Sequence, residues 1–284
     1  MDMYKAFGIR TDMADEAQKL WQGSAGERTR LEGVYSASKI INGLELIETR
    51  ILDEEGEKAL GKARGKYFSL TLPRLFDRGA EDFEAAAEAL CQIIKDCTGA
   101  DFNSVLVAAL GNPDISPDAL GSLCAGSILV TRHLSRDDFP QFKSLSLCRP
   151  GVLGTSGIES AEQVKSLCKL VSPDIVIVID ALAGSEADRL CRCIQVSDAG
   201  ISPGSGVGND RLELSRSSLG LPVISIGMPT VIDAAHFGGK DFGGMFVTPR
   251  SIDSLVRNGA RLIAYGLNMA VHGLSVGDID ALIG

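Results

Sequence analysis

The stretch SVLVAALGNPDISPDAL, residues 104–120, decides which fold this chain can adopt. Its apolar run, residues 105–110, has the length and the branched side chains of a buried strand. The turn residues GNPD (111–114) end the run, and SPD (116–118) then has the pattern of a helix start. This order predicts that Asp118 lies just past the carboxyl end of a core strand, where open α/β sheets bind ligands.

A second apolar run, residues 175–179, ends in the same way, because Asp180 follows it directly. Two carboxyl groups at two strand ends suit hydrolysis: an ionised one deprotonates a water, and a protonated one donates to the leaving group. An aspartate in the first turn of a helix is more often only a partner of the helix dipole. Spacing alone does not choose among the five aspartates near predicted strand ends or turns, which are Asp114, Asp118, Asp180, Asp198 and Asp233.

Strand and helix patterns alternate from residue 81 to about residue 230, which predicts an α/β fold. We expect a mostly parallel central sheet with helices on both faces, plus a small antiparallel N-terminal layer over residues 32–72. Within that layer, Asn42-Gly43 between two apolar segments predicts a hairpin turn. No linker-like stretch divides the chain, so we expect one domain over residues 1–284.

Composition narrows the class of partner. The formal net charge of −9 and the pI of about 4.9 argue against binding to nucleic acid or to an anionic membrane. A protein binds phosphate groups through a basic surface. No apolar run approaches the roughly 20 residues that span a bilayer, and the acidic N-terminus lacks the apolar segment of a secretory signal. The chain has seven cysteines without a repeated CxxC pattern, and its three histidines lie far apart in the sequence. No zinc-ligand spacing results. We therefore expect a cytoplasmic protein without a metal or a cofactor.

The glycine-rich stretch GSGVG, residues 204–208, resembles two kinds of functional loop only superficially. It is not GxGxxG at a strand-to-helix turn, which argues against nucleotide binding. Ser205 does not stand in a GxSxG elbow after a buried strand, which argues against a serine hydrolase. Glycine is needed wherever the backbone passes close to a substrate. We therefore assign Gly204, Ser205, Gly206 and Gly208 to a loop beside the active site.

Longer motifs carry a specific resemblance that covers nearly the whole chain. They are SPDALG at 116–121, LVTRHL at 129–134, IDALA at 179–183, QVSDAGISPGSGVGN at 195–209 and GMPTVIDA at 227–234. In this order they resemble the family of bacterial spore germination proteases. The resemblance implies an α/β fold with a phosphorylase/hydrolase-like sheet.

The resemblance also implies an activity. Members of this family are endopeptidases that begin the degradation of small acid-soluble spore proteins during germination, and they assemble as tetramers. They are regarded as unusual aspartic peptidases. Their two catalytic aspartates match Asp118, in SPDALG, and Asp180, in IDALA. We thus expect a homotetramer in the cytoplasm of the spore core, with small acid-soluble spore proteins as its substrate and no direct contact with nucleic acid.

The resemblance further implies a zymogen that removes its own N-terminal propeptide. The sequence IRTDMA at residues 9–14 resembles the family's processing region. The cut would fall between Asp12 and Met13, which makes residues 1–12 the candidate propeptide. An acidic residue followed by an apolar one also resembles the sites that these enzymes cut in their substrates, so one pocket would serve both reactions.

Three departures from the family pattern concern assembly and substrate range rather than the two aspartates. The segment between Ala234 and Thr248 is shorter than usual, DRL at 210–212 replaces basic residues, and Ser122 stands where proline is usual. Two alternative functions stay open. One is a metal-dependent hydrolase or maturation peptidase whose aspartates bind a hard metal, and the other is a catalytically silent scaffold.

Overall fold

The computed structural model describes residues 11–25, 31–72, 82–99, 102–204, 211–238 and 242–283. In these ranges the backbone forms one nine-stranded sheet. The strands are β1 (Val34–Ile41), β2 (Leu44–Ile51), β3 (Gly65–Thr71), β4 (Ser104–Ala109), β5 (Ser144–Cys148), β6 (Ile175–Gly184), β7 (Cys193–Ser197), β8 (Val223–Asp233) and β9 (Phe246–Val247). Their order across the sheet is β1-β2-β3-β7-β8-β6-β4-β5, and β9 pairs with β8.

Helices lie before, between and after these strands. Those in the described ranges are α1 (Ala14–Ala25), α2 (Glu54–Leu60), α3 (Phe83–Thr98), α4 (Leu120–Cys124), α5 (Leu153–Ser156), α6 (Ser160–Val171), α7 (Arg216–Leu219), α8 (Ala235–Gly238), α9 (Ile252–His272) and α10 (Val276–Ile283). No helix in this part of the chain is both long enough and apolar enough to cross a membrane.

The sheet has a parallel centre and an antiparallel extension. β4 pairs in parallel with β5 and with β6, and β6 pairs in parallel with β8. β7 joins β8 in the antiparallel sense, and β3, β2 and β1 continue outward in the same sense. The predicted α/β class is confirmed. The N-terminal strands, however, extend the main sheet instead of forming a separate layer, because β3 satisfies the backbone hydrogen bonds that β7 would otherwise leave open.

Strand β6 shows how the sheet is covered on both faces. Successive side chains of a strand point to opposite sides. The isoleucines at positions 175, 177 and 179 pack into the large core that α3 and α9 share. Val176 and Val178 pack on the other face, in a smaller core with α6. A strand that is buried on both faces consequently has a continuous apolar sequence.

The predicted hairpin turn between β1 and β2 is present. Asn42 has a φ of 48° and Gly43 a φ of 80°, the positive values that a two-residue hairpin loop requires at both positions. β1 and β2 pair from Val34 with Ile51 to Ile41 with Leu44.

Candidate active site

Asp118 follows β4, and Asp180 lies in β6, the neighbouring strand of the parallel centre. The N–H of Leu110 donates to the carbonyl of Ile179 at 2.8 Å, which joins β4 to β6 at this edge. Two details differ from the sequence prediction. Asp180 lies inside β6, because its pairing with β8 continues to Gly184. Asp118 ends a 3-10 turn over Ser116–Asp118 and does not open an α-helix.

Gly121, the second residue of α4, allows the segment around Asp118 to approach β6. A Cβ at Gly121 would lie 2.4 Å from the carbonyl oxygen of Leu110 and 2.7 Å from that of Ile179. Real Cβ atoms do not come this close to backbone atoms. Because Gly121 has no side chain, α4 packs directly on the backbone of Leu110 and Ile179. This packing holds Asp118 beside β6.

Both carboxyl groups accept hydrogen bonds from nearby backbone N–H groups. Asp118 Oδ2 accepts from the N–H of Asn112 at 2.7 Å, and Asp180 Oδ1 accepts from the N–H of Ala181 at 3.0 Å. Asp180 is buried, with 6% of its surface exposed, whereas Asp118 is half-buried. The two groups therefore experience different solvation.

This difference in burial separates the two pKa values. Burial raises the pKa of Asp118, while the hydrogen bond from Asn112 and the positive charge of Arg211 oppose the rise. Burial raises the pKa of Asp180 well above its ordinary value, and the negative charges of Asp118 and Asp12 raise it further. Interacting carboxyl groups titrate as a pair. The neutral form is therefore favoured more strongly at Asp180 than at Asp118.

A cavity of about 510 Å³ opens over the two aspartates. Its walls include Asp12, Gly204 and Arg211. A cavity of this volume falls in the range of ordinary ligand sites. Of the glycine-rich loop predicted from the sequence, Gly204 lies in the wall. Ser205, Gly206 and Gly208 fall outside the described residues.

The segment around Asp12 lies across the same edge of the sheet. The N–H of Asp12 donates to the carbonyl of Ala183 at 2.8 Å, and Asp12 Oδ2 accepts from the N–H of Ala183 at 2.9 Å. Met13 is completely buried and packs with Leu182 and Cys193. The bond predicted to be processed thus begins in the wall of the cavity that contains Asp118 and Asp180.

Two further polar residues contact Asp12, and the sequence analysis did not single them out. Lys62 Nζ lies 3.7 Å from Asp12 Oδ1, and both side chains are mostly buried. The side-chain amide of Gln195 donates to the carbonyl oxygen of Asp12 at 3.1 Å. Gln195 had a recognisable signal, because its amide stands between the apolar residues Ile194 and Val196, and buried polar residues need a partner.

The three other aspartates considered in the sequence analysis do not line this cavity. Asp198 accepts from the N–H of Lys66 at 2.7 Å, and Asp233 accepts from the N–H of Ala235 at 2.9 Å. Asp114 is exposed. Across the residues that the structure describes, no group of three or more His, Cys, Asp or Glu side chains is arranged to hold a metal ion.

Comparison with known proteins places this chain in a family. The family profile for germination protease matches residues 10–242. The chain belongs to the germination protease family. Membership makes it a peptidase, a hydrolase of peptide bonds, that acts in spore germination.

The relatives match along most of their length. A germination protease from Caldanaerobacter subterraneus subsp. tengcongensis is 38% identical, over 99% of this chain and 100% of that protein. One from Clostridium perfringens is 33% identical, over 94% of this chain and 96% of that protein. One from Priestia megaterium is 39% identical, over 80% of this chain and 64% of that protein.

Among solved structures, a NiFe hydrogenase maturation protease from Thermococcus kodakarensis KOD1 aligns with a TM-score of 0.38 and 19% identity. The alignment covers 62% of this chain and 99% of that one. No functional argument follows from so low a score.

The packing of α4 predicts the effect of a small substitution. We expect Gly121→Ala to lower the free energy of unfolding by about 1–3 kcal/mol, because the new methyl group forces α4 away from β4 and β6. Urea unfolding measures the change. Gly126→Ala is the matched control, since no atom lies within 4 Å of its added Cβ. Equal effects of the two substitutions would contradict the close packing at Gly121.

The raised pKa of Asp180 predicts a pH-dependent stability difference. A group whose pKa is higher in the folded state than in the unfolded state stabilises the fold when it is protonated. This stabilisation is complete at pH values below the unfolded-state pKa, and it is lost as the pH rises through the folded-state pKa. Asparagine does not ionise. The melting temperature of Asp180→Asn should therefore rise relative to that of the uncleaved parent as the pH is raised from about 5 to about 8.

Calorimetry across this pH range measures the difference, and mass spectrometry verifies that both chains are intact. Asp114→Asn, at an exposed aspartate, is the control. A melting-temperature difference for Asp180→Asn that is constant with pH would contradict the predicted protonation of Asp180.

Proposed function

We propose that this germination protease begins the degradation of small acid-soluble spore proteins, using Asp118 and Asp180 as an aspartic dyad, and that it is made as a self-processing zymogen. One observation carries the proposal. Asp12, the acidic residue before the apolar Met13, lies in the wall of the cavity that contains the two carboxyl groups. The chain thus presents to the dyad the kind of bond that the family resemblance assigns to its substrates.

The dyad supplies a base and an acid. As a water oxygen bonds to the carbonyl carbon of the peptide, a water proton passes to the Asp118 carboxylate. The proton on Asp180 then passes to the leaving nitrogen as the carbon–nitrogen bond breaks. The products are a new carboxyl end and a new amine, and proton exchange with solvent returns the dyad to its starting state. Burial supports these roles, because it keeps a proton on Asp180.

The contacts of Asp12 support the zymogen part of the proposal. Lys62 places a positive charge beside the Asp12 carboxylate, so the site favours an acidic residue before the bond. Met13 occupies an apolar pocket with Leu182 and Cys193, so the site favours an apolar residue after it. The chain is one peptidase domain over residues 1–284, and residues 1–12 of it are the propeptide.

The surface supports a protein partner. A net charge of −9 disfavours contact with DNA, so the enzyme acts on the spore protein and not on the nucleic acid that the protein coats. The family resemblance supports a homotetramer in the cytoplasm of the spore core. Phe237 and Met245, in the shortened segment, are 63% and 60% exposed and provide apolar surface for assembly.

A cleavage assay tests the dyad. We expect the processed protein to cut a small acid-soluble spore protein after an acidic residue, with or without EDTA. Asp118→Asn and Asp180→Asn should each lower the rate by at least about 100-fold, because each removes a proton acceptor or donor. Asp114→Asn, an exposed aspartate in a neighbouring turn, should cut like the parent.

Two outcomes would contradict this assignment. Loss of cleavage with EDTA would make the aspartates metal ligands. No cleavage by any form of the protein would favour the silent scaffold.

A second assay tests the processing site. Asp12→Ala should stop the conversion of the 284-residue chain to the chain that begins at Met13, because the substitution removes the carboxylate that Lys62 and Ala183 contact. Asp12→Glu should still be processed, since it keeps the charge. Mass spectrometry over time measures both conversions. Processing of Asp12→Ala at the rate of the parent would overturn the assignment of this bond.

A further inference from the structure

Gln195 is a buried polar residue to which the proposed mechanism gives no role. It lies on β7 with 6% of its surface exposed. Its side-chain amide makes hydrogen bonds on both sides of the bond between Asp12 and Met13. Nε2 donates to the carbonyl oxygen of Asp12 at 3.1 Å, and Oε1 accepts from the N–H of Ala14 at 2.9 Å.

These two hydrogen bonds fix the direction of the amide. A glutamine side chain has an oxygen that only accepts and a nitrogen that only donates. Turning the amide over would place oxygen against the Asp12 carbonyl and nitrogen against the Ala14 N–H, and both bonds would be lost. The donor therefore points at the carbonyl group of the bond that the proposed function assigns to processing.

The sheet places Gln195 in one row with Asp180. Gln195 pairs with Gly227 across β7 and β8, and Gly227 pairs with Asp180 across β8 and β6. Side chains of directly paired residues point to the same face of a sheet. Gly227 has no side chain, and a Cβ there would lie 2.5 Å from the Leu182 side chain. The Leu182 side chain thus covers the backbone of Gly227 between Gln195 and Asp180, and it leaves no room there for a further side chain.

We propose that Gln195 is a further catalytic residue, which donates a hydrogen bond to the carbonyl oxygen of the bond being cut and stabilises the negative charge that develops on it. This inference rests on the proposed function. When water adds to the carbonyl carbon, the electron pair of the double bond moves to oxygen, and it returns when the carbon–nitrogen bond breaks. Gln195 neither gains nor loses a proton in either step.

The electrostatics of the site give the reason for such a donor. The oxygen becomes negative among three acidic side chains, those of Asp12, Asp118 and Asp180, and the proton on Asp180 is committed to the leaving nitrogen. A neutral donor that already points at this oxygen stabilises the charge without first reorganising. The Oε1 of the same amide accepts from the N–H of Ala14, the second residue after the bond being cut. This contact keeps the peptide in register.

Two variants separate the carbonyl contact from the anchoring contact. Gln195→Glu keeps an oxygen to accept from the Ala14 N–H and removes the donor to the carbonyl. Ala14→Pro removes that N–H and leaves the donor in place, and proline is tolerated at the first residue of a helix, which Ala14 occupies in α1. Gln92→Glu, on the exposed face of α3, is the control for the added charge.

The measurement is the first-order rate of self-processing of the full chain at the bond between Asp12 and Met13, followed by mass spectrometry. We expect Gln195→Glu to process about 100- to 1000-fold more slowly than the parent, the cost of losing one such donor. Ala14→Pro should slow the reaction less than about tenfold, and Gln92→Glu should not change it. Urea unfolding establishes that each variant is folded. If Gln195→Glu does not fold, Gln195→Met, which lacks both hydrogen-bonding groups, replaces it with the same expected loss.

The possible failures are distinguishable. If the parent is not processed at this bond, the proposed function fails before Gln195 is tested. If the parent is processed and Asp118→Asn is not, the dyad stands. Processing of Gln195→Glu within threefold of the parent then overturns the role of Gln195, and so does an equal loss in Gln195→Glu and Ala14→Pro, which would show an anchor alone.

Discussion

Parallel pairing of β4 with β6 brings the carboxyl end of β4 beside Asp180 within β6, and the whole candidate site depends on it. The hydrogen bond from Leu110 to Ile179 fixes the two strands side by side at this point. Gly121 then allows α4 to pack on them. Asp118 and Asp180 come from distant parts of the sequence, yet a few backbone contacts determine their relative position.

Burial at this edge gives two identical side chains different chemistry. Asp180 lies within the sheet and receives little solvation, so its neutral form is favoured, and the nearby charge of Asp118 adds to the effect. Asp118 is closer to solvent and accepts a backbone hydrogen bond. A pair of carboxyl groups in such unequal surroundings holds one proton in a defined place, which acid–base catalysis at a peptide bond requires.

The sequence was sufficient for the features that depend on local pattern. Apolar runs and turn residues predicted the strands before Asp118 and Asp180, and Asn42-Gly43 predicted the hairpin. Other features depend on strand order, which no local pattern contains. Because β7 lies beside β8, Gln195 contacts the segment around Asp12, although 183 positions separate the two residues. The sequence alone suggests that β6 ends at its first charged residue. The strand continues past Asp180 because it stays paired with β8.

The burial of Met13 has a consequence for the order of events during activation. Once the bond after Asp12 is cut, residues 1–12 can leave, but Met13 still fills the apolar pocket beside Leu182 and Cys193. A substrate residue cannot enter a pocket that the enzyme's own chain occupies. On the proposed function, maturation therefore has two stages, the breaking of the bond and the withdrawal of the new chain end. The shortened chain would appear first, and activity towards other proteins would follow after a lag.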